Sequence, residues 1–257
     1  MNDLVSIITP SYNTARFIAE TINCVLAQTY TNWEMIIVDD CSTDDTDAVV
    51  ASFDDRRIRY FKNEKNSGAA MSRNRALREA RGKWVAFLDS DDLWDPTKLE
   101  KQIGFMERNH YHFSYTNYRE IDDYGTSLGT VWTGPDKISK FLMYLFNYMG
   151  CLTVMYDREY VGLIQIPNLK KRNDYAMWIK VVKKCPAYRL DEVLATYRVR
   201  GSGSIMNRSK SPLTRLKYNY YIWRESENMN VPAALFWTVI NLVFGALKKV
   251  TFKKSAA

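Results

Sequence analysis

The chain has 257 residues, of which 46% are hydrophobic and 25% charged, and its net charge is +7. That length supports one large globular body or two small ones, and the balance excludes a disordered chain. The excess of positive charge points to an acidic partner: nucleic acid, an anionic membrane surface or a phosphorylated substrate.

The N-terminus MNDLVSIITP has neither the basic start nor the long apolar run of a signal peptide, and the four cysteines form no CxxC pair. A reducing cytosol is the expected compartment. VSIIT (5–9) and WEMIIVD (33–39) have strand length, and between them RFIAETINCVLAQT sets Phe17, Ile18, Thr21, Ile22, Val25 and Leu26 on one helical face. STDDTDAVVASF predicts a second helix with acids in its first turn, and IRYF (58–61) a third strand. SGAAMSRNRALREARG predicts a helix ending near Gly82, and WVAFL a fourth strand. Strands alternating with helices, and apolar throughout, imply a mostly parallel sheet covered on both faces.

Ligands of such sheets lie beyond the carboxyl ends of the strands. The polar segments TPSYN (9–13), DDCSTDD (39–45) and DSDD (89–92) all fall there. The last places Asp89, Asp91 and Asp92 in a short loop, where like charges disfavour one another unless a cation joins them. Oxygen ligands in that number suit magnesium or manganese, which would also grip a diphosphate. Read without a ligand, the same aspartates form an Asx-type turn and a helix cap.

After Asp95 and Pro96 a helix of about 12 residues is expected, then a strand in HFSYTNYREI and a turn at DDYG. ISKFLMYLFNYM predicts an apolar helix, CLTVMY a strand, NDYAMWIKVVKK a helix and DEVLATYRVR a strand. No Pro, Gly or Ser linker divides the halves. His110 and His112 lack a third ligand and read as a strand edge. The absence of a GxGxxG turn argues against a dinucleotide oxidoreductase, and the absence of RNP or zinc-finger signatures against nucleic acid as the partner.

VSIITPSYN, WEMIIVDDCSTDDT, NSGAAMSRNRAL and GKWVAFLDSDDLWDP, in that order and spacing, resemble the nucleotide-sugar-binding half of glycosyltransferase family 2. The resemblance is strong over about the first 100 residues and looser to about residue 205. It implies a GT-A fold, α/β and Rossmann-like, divided into a nucleotide-sugar-binding half (1–100), an acceptor-binding and catalytic half (101–210) and a basic helical tail (211–257). It implies transfer of one sugar, with inversion and help from Mn²⁺ or Mg²⁺, from a nucleoside diphosphate donor, usually a UDP-sugar. Thr9, Pro10 and Tyr12 would line the uridine pocket, and Asp40 would accept from the uracil N3–H. Asp89 would contact ribose or metal and Asp91 the metal, with Ser90 between them at the donor. Arg73 or Arg75 would reach nucleotide or phosphate, and Arg198, Arg200 and Ser204 would close over the diphosphate. Asp174 occupies the place of the general base, with Asn173 where Glu is common. A helix cap is the other use of an aspartate there.

The tail VPAALFWTVINLVFGALKKVTFKK begins with 17 uncharged residues and ends in four lysines. A bilayer crossing needs roughly 20 apolar residues. The stretch is instead suited to lie in the interface with its lysines on anionic headgroups, or to pack as a core helix. Peripheral attachment to the cytoplasmic face would bring a polyprenyl-diphosphate-linked sugar within reach as acceptor. The QxxRW motif of processive synthases is absent from the sequence, so a single addition is expected. A catalytically idle nucleotide-sugar-binding or scaffold protein is the alternative.

Overall fold

The computed structural model describes residues 3–201 and 212–255. Its first half alternates as the apolar periodicity predicts: β1 (Val5–Ser11), α1 (Ile18–Leu26), β2 (Trp33–Asp39), α2 (Thr46–Ala51), β3 (Ile58–Lys62), α3 (Ala69–Glu79) and β4 (Trp84–Phe87). β2 and β4 flank β1 in parallel, and β3 extends the sheet beyond β2. Successive side chains of a strand point to opposite faces. Ile8, Ile36, Val38, Val85 and Phe87 therefore enter one buried cluster, and Val5, Ile7, Met35, Ile37 and Ala86 enter the other. A strand buried on both faces has no polar side to show, which is why β1, β2 and β4 read as largely apolar runs, whereas the edge strand β3 is only half-buried.

The second half comprises β5 (Leu93–Trp94), α4 (Lys98–Asn109), β6 (Phe113–Ile121), β7 (Ser127–Trp132), β8 (Lys137–Ile138), α5 (Lys140–Leu145), β9 (Met155–Asp157), α6 (Arg158–Val161), α7 (Asn173–Val182) and β10 (Ala187–Arg198). Here the regular alternation ends and the sheet is mixed. β9 enters antiparallel between β4 and β6, and β7 pairs antiparallel with β6, whereas β10 runs parallel to β6. The whole is one mixed sheet of eleven strands among the described residues.

Two segments depart from their predicted elements. The helix expected through Met149 stops at Leu145 because Phe146 adopts extended backbone angles, leaving 146–150 as a loop. CLTVMY opens as a 3₁₀ turn over Cys151–Thr153, with Thr153 Oγ1 donating to the Gly150 carbonyl (2.7 Å), and becomes strand only at Met155.

The tail is built into the body. α8 (Pro212–Tyr221) runs through a π-helical turn into α9 (Val231–Phe252), and β11 (Lys253–Ser255) pairs antiparallel with β7. Asn230 caps α9 by accepting from the Ala233 N–H (3.0 Å). No described helix is long and apolar enough to cross a membrane.

α4 carries Lys98, wholly buried, with its Nζ donating to Gln102 Oε1 (2.7 Å) and 4.2 Å from the centre of the Trp94 ring. Desolvation alone pulls its pKa down to about 7. An unfolded lysine titrates near 10.4, so between the two values the unfolded chain binds the extra proton and native stability rises with pH. The stability of Lys98→Met relative to the wild type is therefore expected to increase as pH falls from about 10 to 7, by about 1.4 kcal/mol per unit, and to level off below. Urea unfolding across that range measures it, and parallel pH profiles would refute it.

Candidate active site

Parallel pairing brings the carboxyl ends of β1, β2 and β4 to one edge, with Ser11 level with Asp39 and Leu88 N–H donating to the Ile8 carbonyl (3.1 Å). The 88–92 loop follows β4 there. It is a tight turn, closed by the Asp92 N–H donating to the Asp89 carbonyl (3.0 Å). Its aspartates have different tasks. Asp92 is buried and accepts from the Arg198 backbone N–H (2.9 Å), so it fastens the loop to β10. Asp95 takes the turn role, accepting from both the Thr97 N–H (3.0 Å) and Thr97 Oγ1 (2.7 Å). Asp89 and Asp91 are left to face cations: Arg73 Nη2 lies 2.5 Å from Asp89 Oδ1, and Arg200 Nη1 lies 3.3 Å from Asp91 Oδ2.

Burial, then the charge of Asp89, raises the Asp91 pKa, with Arg200 opposing. Burial and both neighbouring carboxylates raise that of Asp92 further. Burial and crowding thus disfavour the ionised form of both aspartates even with the arginines in place. Two carboxylates suit a hard divalent ion that takes its other ligands from phosphate and water.

Arg73 is buried, and burial opposes its charge, but Asp89 keeps the guanidinium protonated. Its Nη1 donates to Asn173 Oδ1, so one side chain ties the loop after β4 to the start of α7. Arg75 turns away to the Lys62 carbonyl and Asn63 Oδ1 (both 2.9 Å). Asp174, the next residue of α7, is half-buried and accepts from Asn147 Nδ2 (3.2 Å). Arg172, immediately before α7, has a left-handed backbone (φ 58°) and donates to Asn219 of α8.

Of the residues expected at the uridine, Thr9 and Pro10 lie buried within β1, and Thr9 Oγ1 has no hydrogen-bond partner among the described residues. Tyr12 is 46% exposed, and Ser90 is buried in the loop. Asp40 is buried, with Oδ1 accepting from Asn63 Nδ2 (3.0 Å) and the Ser67 N–H (2.9 Å), and Oδ2 from the Gly68 N–H (2.7 Å). It anchors the entry to α3, where Gly68 needs its freedom from a Cβ at φ 91°. One Oδ2 lone pair is left for a further donor.

Arg198 is fully engaged in the wall. Its Nε donates to the Asp91 carbonyl (3.0 Å), its Nη2 to Glu20 (2.7 Å), and its guanidinium lies 5.0 Å from the Phe17 ring centre. Arg200 shares that ring at 5.0 Å and reaches Asp91 itself. Ser204 lies outside the described residues.

Three groups at this site escaped the sequence reading. Asn147 sat in a predicted helix but belongs to a loop. Arg172 carries no motif. Lys248, counted with the tail lysines, is turned inward and donates from Nζ to the Asn147 carbonyl (3.1 Å).

An alternating first half joined to a mixed second half, with polar loops gathered beyond the parallel strands, makes this a fold of the GT-A type. The solved structure of S. aureus TarS in complex with UDP-GlcNAc superposes with a TM-score of 0.73 at 21% identity, over 96% of this chain and 74% of that one. The profile of Glycosyl transferase family 2 matches residues 6–156. A glycosyltransferase assigned to teichuronic acid biosynthesis in Bacillus subtilis, TuaG, is 42% identical over 96% of this chain and 97% of its own. The Escherichia coli UDP-Glc:alpha-D-GlcNAc-diphosphoundecaprenol beta-1,3-glucosyltransferase WfgD is 36% identical over 97% and 96%. The chain belongs to glycosyltransferase family 2.

The three donors on Asp40 give a direct check. In Asp40→Asn one side-chain position presents N–H to a backbone N–H, leaving a buried donor unsatisfied at a cost of about 1–3 kcal/mol. The ligand-free variant should melt below the wild type by a corresponding margin, and an unchanged midpoint would show that the α3 entry does not depend on this carboxylate.

Proposed function

We propose that the protein transfers a single sugar, with inversion, from a UDP-hexose or UDP-N-acetylhexosamine to a sugar hydroxyl of a polyprenyl-diphosphate-linked acceptor in bacterial cell-surface polysaccharide biosynthesis. The observation that carries this reading is the Arg73 bridge. It holds Asp89 on one side and Asn173, the neighbour of Asp174, on the other, so a single side chain ties the aspartate turn to the start of the helix that carries Asp174. The names of the teichuronic acid and diphosphoundecaprenol relatives support the donor and acceptor classes.

In this reading Thr9, Pro10, Tyr12 and Asp40 hold the uridine. Asp89 and Asp91 hold Mn²⁺ or Mg²⁺, which when bound neutralises charge on the leaving diphosphate. Asn147 orients the Asp174 carboxylate, and Asp174 accepts the proton of the attacking hydroxyl. Arg200 stands over the diphosphate position, and Arg198 keeps the wall behind it rigid.

Attachment to the anionic inner face of the cell membrane, on the cytoplasmic side, completes the reading. Val231, Leu235, Phe236, Val239, Val243 and Leu247 form an exposed apolar face on α9, and exposed Lys253 and Lys254 follow it. Apolar burial in the headgroup region together with basic residues favours anionic lipid.

Two measurements test these points. UDP-sugars should raise the melting temperature of the wild type in a Mn²⁺- or Mg²⁺-dependent manner. Asp91→Ala should lose the metal dependence, whereas Asp174→Asn should keep it while transfer falls by about 10²–10⁴-fold. UDP binding with no turnover over any acceptor would favour an idle binding protein. Separately, Val239→Glu with Val243→Glu should abolish sedimentation with phosphatidylglycerol vesicles without lowering the melting temperature, and unchanged sedimentation would remove α9 from the membrane contact.

A further inference from the structure

α9 turns one apolar stripe outward, while Ala234, Thr238 and Asn241 are buried against the body, Trp237 packs on Tyr144 and Trp223, and Lys248 turns inward. Thr238 Oγ1 donates within the helix to the Ala234 carbonyl (2.7 Å), and Asn241 Nδ2 donates to Tyr175 Oη (2.7 Å) and the Leu145 carbonyl (3.0 Å), so both use their donors on fixed protein acceptors. Lys248 is different. Its Nζ has one hydrogen bond shown, to the Asn147 carbonyl, out of three that an ammonium can donate. It also shares an aromatic platform with a second cation: Lys248 Nζ lies 5.4 Å and Arg172 Cζ 5.5 Å from the centre of the Phe146 ring. Trp132 closes the other side of Lys248 at 5.5 Å. Gly245 makes this possible, since a Cβ there would come within 2.6 Å of Phe146.

Desolvation, then the like charge of Arg172, lowers the Lys248 pKa to about 8, with Asp174 opposing. At neutral pH the group is still mostly protonated. Two cations that face one ring and disfavour each other's charge, with Asp174 opposing, are an arrangement that an incoming anion would relieve.

The pair lies beside the proposed base. Asn147 links them, its side-chain amide donating to Asp174 and its carbonyl accepting from Lys248. In an acceptor whose reacting sugar is joined directly to a lipid diphosphate, one pyranose ring separates the attacking hydroxyl from the phosphates. A hydroxyl at Asp174 therefore leaves the diphosphate within the reach of the neighbouring cations. The lipid chain would then leave beside Leu247, the last residue of the exposed apolar face.

We infer that Arg172 and Lys248, brought together over Phe146, form the seat for the diphosphate of a lipid-linked acceptor. This rests on the acceptor class proposed above. The seat selects for diphosphate next to the reacting sugar, and α9 supplies to the transfer site a residue that lies nearly a hundred positions beyond the family match at 6–156.

The test uses the full-length protein in neutral detergent, so that no anionic headgroup competes. Two acceptors are compared, polyprenyl-diphosphate N-acetylglucosamine and the same sugar on a neutral alkyl chain. Wild type should prefer the diphosphate acceptor in kcat/KM. Charge-assisted hydrogen bonds are worth about 1.5–3 kcal/mol, so Lys248→Met should shrink that preference by about 10- to 100-fold, through the KM of the diphosphate acceptor. Lys248→Arg should restore most of it, and Arg172→Gln should act in the same direction as Lys248→Met. A wild type without preference, or a Lys248→Met that depresses both acceptors alike, would overturn the seat while leaving the transferase intact. Transfer to neither acceptor would defeat the proposed acceptor class as well.

Discussion

The architecture of the site depends on compensating negative charge at a dry sheet edge. Asp89, Asp91 and Asp92 fall within four consecutive positions, and a carboxylate removed from water needs hydrogen bonds or a counter-ion. The protein answers with three arginines from two distant segments: Arg73 on Asp89, Arg198 through its backbone on Asp92, and Arg200 on Asp91. Each answer is also a tether. Arg73 reaches on to α7, and Arg198 reaches on to Glu20 in α1, so compensating the loop fixes the relative positions of both halves of the sheet. A guanidinium does this better than an ammonium, because its fork can serve two partners at once.

That constraint explains why the first half was so legible. β1, β2 and β4 are buried on both faces and read as apolar runs, and the turns between them are polar because they form the ligand edge. The second half hides its organisation for equally physical reasons. β9 is three residues long, too short for a period to show, and it sets the antiparallel turn of the sheet. FNYMG (146–150) is apolar enough to continue a helix, yet Phe146 leaves helical angles, and that departure places Asn147 beside Asp174. The roles of Arg73 and Arg198 were legible as charge near the donor but not as tethers, since the partners, Asn173 and Glu20, lie 100 and 178 residues away.

The tail shows a different limit. A run of 17 uncharged residues followed by lysines cannot reveal which face of the helix turns inward. Hydrophobicity alone would bury the Leu and Val stripe. In the structure that stripe is outside, and the inward face carries Thr238, Asn241 and Lys248, each with a specific acceptor. Buried polar groups must find partners, so such a face fits only one position on the body. The exposed apolar face has no such demand, which is the property expected of a surface that meets lipid.

Both ends of α9 are fixed, by Asn230 at its start and by β11 at its finish, where Lys253 pairs with Trp132 and the Thr133 N–H donates to the Phe252 carbonyl (2.9 Å). A lysine on a mobile tail would lose up to about 2 kcal/mol of side-chain freedom each time it bound an anion. Here folding has already imposed much of that loss, because Lys248 is held by the Asn147 carbonyl and by aromatic rings on two sides. On the proposed reading, the helix whose apolar face would meet the membrane is also the one that would offer a pre-positioned cation to the acceptor. A substrate with a hydrocarbon chain and a charged, sugar-bearing head would make both demands within its own length, and one pinned helix carries the groups to meet them.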